Sequence, residues 1–242
     1  TMTYRRELHQ LPTGPQHAKV IVNPYQTSPL SGLILVKTAA KTRVTLTVHG
    51  DRPATTITKK LSGYKTAHSV GVLGLYANRT NRVTLTFTQK DGQTSRTTYR
   101  LKTGHTPKGI GKNTLKTSTP QQMALGTGHT KLTFAVSSQG YTYGLDARGK
   151  IRWYSTNKIS HIFKQLSNHH LLILTKISPD EHKYNALRET NFYGRVYRQY
   201  NFSGLFPTRK DTHKLATNTV IHHDAIELPN HNLLPVSYTH LT

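Results

Sequence analysis

Hydrophobic and polar residues alternate along much of the first hundred positions. The alternation is clearest over 43–50 and 82–89, where every second side chain is apolar. A period of two predicts strands that bury one face, and no helical period competes with it. We predict short strands at 18–22, 33–38, 43–50, 55–61, 68–76, 82–89 and 94–103. This spacing predicts an immunoglobulin-like β-sandwich over 18–104, after an irregular lead-in at 1–17.

The last two of these strands are joined by a predicted hairpin at Lys90-Asp91-Gly92. Asp-Gly between alternating strands is a strong hairpin signal, because both central positions of the turn need positive φ. The next segment, 105–120, is rich in Gly, Pro, Lys and Thr, which predicts a linker. Short strands resume at 132–138, 141–146, 150–155, 161–166 and 170–176, and the segment 189–200 contains a glycine turn followed by a strand. The chain is therefore predicted to be all-β.

The second half of the chain contains internally similar segments. QLSNHHLLIL at 165–174 has the form of ELPNHNLLPV at 227–236, and LDARGKIRWY at 145–154 has that of ETNFYGRVYRQY. The glycine turns of the second pair are 45 positions apart, which is the length of a four-stranded propeller blade. The turns of the first pair are 62 apart, and an insertion around 202–218 accounts for the difference. Residues 121–234 are thus predicted to form the first blades of a β-propeller.

Positive charge is the main feature of the composition. The chain has 33 Lys and Arg residues against 10 Asp and Glu, which gives a formal net charge of +23. Such a surface attracts polyanions, but the basic residues are dispersed and no nucleic-acid-binding motif accompanies them. We predict no specific nucleic-acid partner. A non-enzymatic basic cell-surface protein that binds polyanions remains an alternative.

The chain contains no cysteine, which excludes disulfides, thiol catalysis and cysteine metal sites. No apolar run has the length of a transmembrane segment. We predict no cofactor.

Candidate chemistry is concentrated in IHHDAIELPNHNLL, residues 221–234. Two adjacent histidines and an acid precede an alternating run, which predicts a polar cluster at the mouth of a strand. Successive residues of a strand point to opposite faces, so Asp224 would share its face with His222 rather than His223. The same geometry disfavours one metal ion bound by both histidines, and no HExxH spacing is present. We predict no metal site.

The other histidines and aromatic residues are interpreted as structural. His161, His182 and His213 stand alone in polar surroundings, and His169-His170 falls in a strand turn, so all are predicted to be exposed. Trp153 and the nearby tyrosines are assigned to packing rather than to a platform for aromatic ligands. Three arginines, Arg188, Arg195 and Arg198, are assigned to a solvated strand edge.

Several segments together resemble the PAPS-independent arylsulfate sulfotransferases of bacteria. The resemblance covers nearly the whole chain and rests on VNPYQTSPLSGLILVKT (22–38), HSVGVLGLYANRTNRVTLTFTQKDGQTS (68–95), YGLDARGKIRWY (143–154), ETNFYGRVYRQY (189–200) and HHDAIELPN (222–230). No single motif is unique to the family, because quinoprotein propellers share one of them. The order is more specific: a sandwich, then a propeller, with HHD opening an inner strand.

The resemblance implies a six-bladed propeller and a transferase mechanism. Such an enzyme moves a sulfuryl group from an aryl sulfate donor to a phenolic acceptor through a histidine that is transiently sulfated. The HHD histidine of the family matches His222-His223, and the register of the match favours His223, against the strand argument for His222. The sulfated histidine and its HxN and arginine partners are expected beyond this chain. His231 stands where the family usually has glycine.

The resemblance also carries expectations about the chain as a whole. It implies export to the periplasm or cell surface, and it leaves a homodimer open. Residues 235–242 do not continue the strand pattern and are interpreted as a non-native tail. A propeller truncated at this point is expected to be inactive alone. A quinoprotein-type dehydrogenase is a second alternative.

Overall fold

The computed structural model describes residues 2–110, 113–114, 116, 132–136, 140–146, 148–178, 180, 184–202 and 221–237. One helix, α1 (Met2–Gln10), precedes the strands. The strands are β1 (Lys19–Val22), β2 (Ser31–Val48), β3 (Ile57–Lys60), β4 (Lys65–Leu73), β5 (Thr80–Gln89), β6 (Thr94–Lys102), β7 (Thr133–Ala135), β8 (Tyr143–Leu145), β9 (Ile151–Tyr154), β10 (Phe163–Gln165), β11 (Leu171–Thr175), β12 (Ala186–Thr190), β13 (Val196–Asn201), β14 (Ile221–Glu227) and β15 (Leu233–Ser237). The described chain is thus predominantly β, as predicted.

The first six strands form one antiparallel sheet around β2. Its path is β1-β2-β5-β6, and β3 and β4 also pair with β2. The first half of β2 pairs with β1 and β4, and the second half pairs with β3 and β5. The pairing with β4 shifts register between Lys37 and Thr42, where residues 39–41 are exposed. The predicted strands 33–38 and 43–50 are therefore one continuous strand that bends.

Bending of β2 places the two halves of the sheet around a common core. Ile34 and Val36 from the first half lie in the same buried cluster as Val44 and Leu46 from the second. Phe87 of β5 completes this cluster with a side chain that is 1% exposed. The two layers of the predicted sandwich are thus connected through one curled sheet.

The prediction of an irregular lead-in is wrong, because α1 is helical. Tyr4 and Leu8 are four residues apart, which puts them on one helix face, and Leu11 directly follows the helix. This face packs on Leu33 and Leu35 of β2. The helix covers the outer face of the sheet, so both faces of this part of β2 are buried.

The second half of the described chain consists of smaller antiparallel sheets. Strands β7-β8-β9 form one sheet, β10-β11-β12-β13 form another, and β14-β15 form a hairpin. The glycine turn predicted within 189–200 is present, because the turn at Gly194 separates β12 from β13. Trp153 packs against Phe134, Phe163 and Phe192, which confirms its assignment to packing.

The similar segments of the second half have similar turn geometry. In the turn at Gly149, the Gly149 N–H donates to Asp146 O over 2.9 Å; at Gly194, the Gly194 N–H donates to Asn191 O over 2.9 Å. The Asp146 and Asn191 side chains each accept two further backbone N–H bonds. The internal similarity in sequence is therefore also a similarity in structure.

The predicted linker and tail are described in part. Ile110 joins the core of the first sheet, whereas residues 117–120 of the predicted linker lie outside the described residues. Pro235 pairs with Ala225 and Ser237 pairs with Ile221 in the β14-β15 hairpin, so the strand continues beyond residue 234, contrary to the prediction. Residues 238–242 lie outside the described part. Within the described ranges, no helix has the length and apolar character needed to cross a membrane.

Candidate functional site

The strand that carries the histidine pair is irregular where the pair lies. Ile221 pairs with Ser237 and Ala225 pairs with Pro235, so β14 advances four residues while β15 advances two. His223 lies in this β-bulge with a φ of 67°. Bulges redirect side chains and interrupt the alternation of faces. The prediction that regular alternation governs 222–224 is therefore wrong.

Asp224 binds a lysine of another strand. The Lys164 ammonium, from β10, donates to the Asp224 carboxylate and to the Ala225 carbonyl oxygen, the latter over 2.8 Å. The hydrogen bond from Lys164 lowers the pKa of Asp224 below its ordinary value. Asp224 thus holds β14 against β10. The side chain of His222 lies outside the described part of the chain, so the choice between His222 and His223 stays a prediction.

His161 lies in a second bulge. The Ser160 N–H donates to Leu174 O over 3.1 Å, and the Leu174 N–H donates to Ile162 O over 3.0 Å. Three residues, Ser160 to Ile162, therefore lie opposite Leu174, and the central one, His161, has a φ of 56°. Non-glycine residues rarely adopt positive φ, although histidine is among the enriched exceptions.

The rings of His161 and His223 contact each other. Their centroids are 4.7 Å apart and their planes are inclined by 52°. Both side chains are exposed, so the predicted exposure of His161 is correct, but its description as a lone histidine is wrong. His182 and His213, the other histidines assigned to the surface, lie outside the described residues.

The histidine pair suits an anionic ligand. Each imidazole can donate at least one N–H bond. The Lys164-Asp224 bridge joins β10, which begins two residues after His161, to β14, which contains His223. Among the described residues, no group of three His, Asp or Glu side chains is arranged to hold a metal ion. The arrangement therefore places two imidazole rings near enough to contact one anion.

A histidine–carboxylate pair that the sequence reasoning missed lies in the β10-β13 sheet. His170 Nδ1 is 2.5 Å from Glu189 Oε1, and the Asn168 amide donates to the same oxygen over 2.9 Å. The His170 ring stacks on Tyr197 with a centroid distance of 3.9 Å. Burial of Glu189 acts to raise its pKa, but the hydrogen bonds from His170 and Asn168 outweigh it and lower the pKa overall. His170 is half-buried and bound, not simply exposed as predicted.

A further cluster joins two turns. The Ser167 hydroxyl and N–H donate to the two oxygens of Glu227 over 2.6 and 2.8 Å. His231 Nδ1 lies 3.0 Å from the same carboxylate. These bonds, those of Ser167 first, lower the pKa of Glu227 to about 2. Ser167 Oγ also lies 3.2 Å from His231 Nδ1. Because the hydroxyl proton is donated to Glu227 rather than to the imidazole, the cluster does not form a nucleophilic triad.

Arg188 differs from its predicted place on a solvated strand edge. Its guanidinium donates to Gln199 over 2.6 Å and to Asn157 over 3.1 Å. Burial lowers the pKa of Arg188 from its ordinary value. This arginine therefore ties β12 to its neighbours, and its donors are used within the fold.

Two known protein families match the chain. The Arylsulfotransferase Ig-like domain matches residues 19–104, and Arylsulfotransferase (ASST) matches residues 117–240. No curated protein matched. The two matched regions follow each other in the order expected from the resemblance and span most of the sequence. The chain belongs to the arylsulfotransferase family.

Proposed function

We propose that this protein takes part in sulfuryl transfer from an aryl sulfate to a phenolic acceptor, without a nucleotide sulfate donor. Membership of the arylsulfotransferase family supports the general activity. The observation that carries the site assignment is the exposed His223 in its bulge, beside a second imidazole. We favour His223 as the site histidine and keep His222, its neighbour in β14, as the alternative.

The chemistry needs hydrogen-bond donors around a loose, anionic transition state. Sulfuryl transfer resembles phosphoryl transfer, in which charge is spread over the equatorial oxygens. In the first step, the S–O bond to the aryl group breaks, an S–N bond forms at a histidine, and the phenolate leaves with the electron pair and takes up a proton. In the second step, the acceptor phenol loses its proton, its oxygen attacks sulfur and the S–N bond breaks. An imidazole can donate to the sulfuryl oxygens or protonate the leaving phenolate.

We further propose that residues 121–234 are blades of a β-propeller. The repeated turns at Gly149 and Gly194, with equal hydrogen-bond patterns, support a repeated strand-turn-strand unit. The four-stranded antiparallel sheet β10-β13 has the strand number of one blade. Export to the periplasm or the cell surface belongs to the same proposal and follows from the family resemblance alone.

The direct test follows the release of a coloured phenol from its aryl sulfate, with a second phenol as acceptor. The protein is expressed from the complete gene. The variant His223→Asn removes the imidazole and introduces asparagine, which also tolerates positive φ. We expect acceptor-dependent release that falls by about 100-fold or more in this variant, the scale of one lost general acid or oxyanion donor.

The matched control is His231→Asn, which replaces another exposed histidine at positive φ (63°). It should retain activity within about twofold, because His231 lies in a turn outside the proposed site. No acceptor-dependent release from folded protein would refute the proposed function. Equal losses in both variants would refute the assignment to His223.

The second candidate function is binding of polyanions by a basic surface, favoured by the net charge of +23. Electrostatic binding of this kind weakens steeply as salt increases. Salt-sensitive binding of a sulfated polysaccharide, in a protein that shows no sulfuryl transfer, would favour this candidate over the enzyme.

A further inference from the structure

We propose that His161 and His223 together form the binding site for the sulfate group of an aryl sulfate. The inference rests on the proposed function for its ligand, but it assigns a new residue: His161 lies in none of the segments that carry the family resemblance. It also assigns a positioning role to Lys164, whose ammonium holds β10 and β14 together.

The two histidines occupy the same position in two repeats. His161 and His223 are 62 residues apart, as are the turn residues Ser167 and Pro229. Each histidine follows an isoleucine by two positions, and these isoleucines are 1% and 2% exposed. The similarity between the repeats therefore begins upstream of the turns, and the histidines are part of it.

The backbone at the two positions is also alike. His161 is the central one of three residues opposite Leu174, and His223 is the central one of three opposite Val236, which lies between the paired residues Pro235 and Ser237. Leu174 and Val236 are again 62 residues apart. Both histidines have positive φ. Bulges re-aim side chains, and here two equivalent bulges carry the same residue type.

Positive φ alone would not support a ligand site. His169 and His231 share this conformation, but they lie in hairpin turns, where a residue at positive φ closes the hydrogen-bond pattern. His161 and His223 lie outside those turns, and their rings meet at 4.7 Å. Proximity of the two rings, and not strain, is what distinguishes this pair.

The neighbourhood favours an anion with several oxygens. The two exposed imidazoles can donate to two oxygens of one sulfate. The nearby carboxylate of Asp224 is paired with the Lys164 ammonium, which offsets its negative charge. Lys164 also donates to Ala225 O, so a single side chain fixes β10 against β14. This bridge sets the spacing between the two rings, which makes Lys164 a positioning residue.

The experiment uses the 242-residue chain with ¹⁵N-labelled histidine, titrated with 4-nitrophenyl sulfate at constant ionic strength. Inorganic sulfate and Zn²⁺ are titrated separately. We expect the ring resonances of His161 and His223 to shift together with one Kd for the sulfate ester. Inorganic sulfate should produce the same shifts, since the recognised group is the same. His161→Asn should weaken binding at least tenfold.

The control variant is His169→Asn, which replaces an exposed histidine with a φ of 66° and should leave the Kd unchanged. Equal Kd values for the two variants would overturn the proposal, as would shifts confined to His223. Shifts of both rings with Zn²⁺ but not with the sulfate ester would overturn it in favour of a metal site. If the His161 variant fails to fold, the shifts of the two rings with the sulfate ester and with Zn²⁺ can still be measured on the wild-type protein.

The His161-His223 site and the proposed sulfuryl transfer can be refuted separately. Sulfate-ester binding by both histidines, without sulfuryl transfer by the complete gene product, would refute the enzyme and retain the site. Transfer that depends on His223 but is unchanged in His161→Asn would refute the role of His161 and retain the enzyme.

Discussion

Arg152 and Asp146 form a salt bridge with an N–O distance of 3.0 Å, in which both side chains are completely shielded from solvent. The guanidinium also donates to the carbonyls of Gly74 and Thr55 over 2.7 and 2.9 Å, and to the Tyr76 hydroxyl over 3.0 Å. One arginine of the β8-β9 hairpin therefore satisfies acceptors from two separate connections of the first sheet. These directional bonds to a buried charge specify how the hairpin docks, although Arg152 Nη2 is buried without a hydrogen-bond partner among the described residues.

Replacing this arginine should destabilise the chain strongly. In Arg152→Ala, Asp146 keeps a buried charge without its partner, which typically costs about 3–5 kcal/mol. The measurement is the free energy of unfolding in urea. The control is Arg79→Ala, since the Arg79-Asp51 pair is about 40% exposed and an exposed pair is worth roughly 0–1 kcal/mol. Similar losses in the two variants would contradict the interface role of Arg152.

Two glycines test a second contact with the first sheet region, made by the β12-β13 turn. Gly194 and Gly92 have φ values of 91° and 88° and equivalent hairpin hydrogen bonds. A methyl group on Gly194 would collide with Thr27 Oγ1, whereas nothing lies within 4 Å of one on Gly92. We expect Gly92→Ala to cost about 1–2 kcal/mol for the backbone alone. Gly194→Ala should cost about 1–3 kcal/mol more.

Thermal or urea unfolding of both variants measures this difference. Because the backbone term is common to the two substitutions, the difference isolates the collision with Thr27. The Ser28 hydroxyl donates to Phe192 O over 2.8 Å in the same contact. Equal destabilisation by the two alanines would mean that the β12-β13 turn is not packed against the first sheet in solution.

Sequence patterns predicted the strands better than their connections. Val83, Leu85 and Phe87 alternate because all three enter one core, so β5 was predictable. The bend in β2 was not predictable, because residues 39–41 are exposed and interrupt the alternating pattern as a loop would. Helix α1 was missed because its apolar face is short and lies in a strongly charged segment; only its packing on Leu33 and Leu35 makes it stable.

The candidate site was predictable only in part. The HHD motif drew attention to His223, but strand alternation gave the wrong geometry because a bulge depends on the pairing of two strands. The partner of Asp224, Lys164, is distant in sequence. The Ile-x-His spacing shared by His161 and His223 was available as a signal, although only the structure shows that their rings meet.

The Glu189-His170 pair predicts a pH-dependent contribution to stability. The folded pKa of Glu189 lies below its ordinary value of 4.5. The contribution is therefore present above pH 4.5 and is lost as pH falls through the lower folded pKa. Glu189→Gln should lower the free energy of unfolding by about 1–3 kcal/mol at pH 7, and the difference should shrink at acidic pH.

Urea denaturation at pH 7 and pH 4 tests this dependence. Glu7→Gln is the control, because Glu7 pairs with Lys19 at the surface and should cost at most about 1 kcal/mol. A Glu189→Gln deficit that is constant over the pH range would assign its effect to packing rather than to the carboxylate.

Glu227 and Ser167 test whether the two repeats stack as the propeller proposal requires. Their hydrogen bonds join the β10-β11 turn to the β14-β15 turn and lower the pKa of Glu227 from 4.5 to about 2. Ser167→Ala removes the hydroxyl donor, so the pKa should rise toward 4.5. His231→Asn should raise it less, because the bonds from Ser167 are the larger cause. NMR titration of the Glu227 carboxyl carbon measures these changes. A pKa near 4.5 in the unmodified chain would show that the turns are apart, and stacked blades would then be the wrong description.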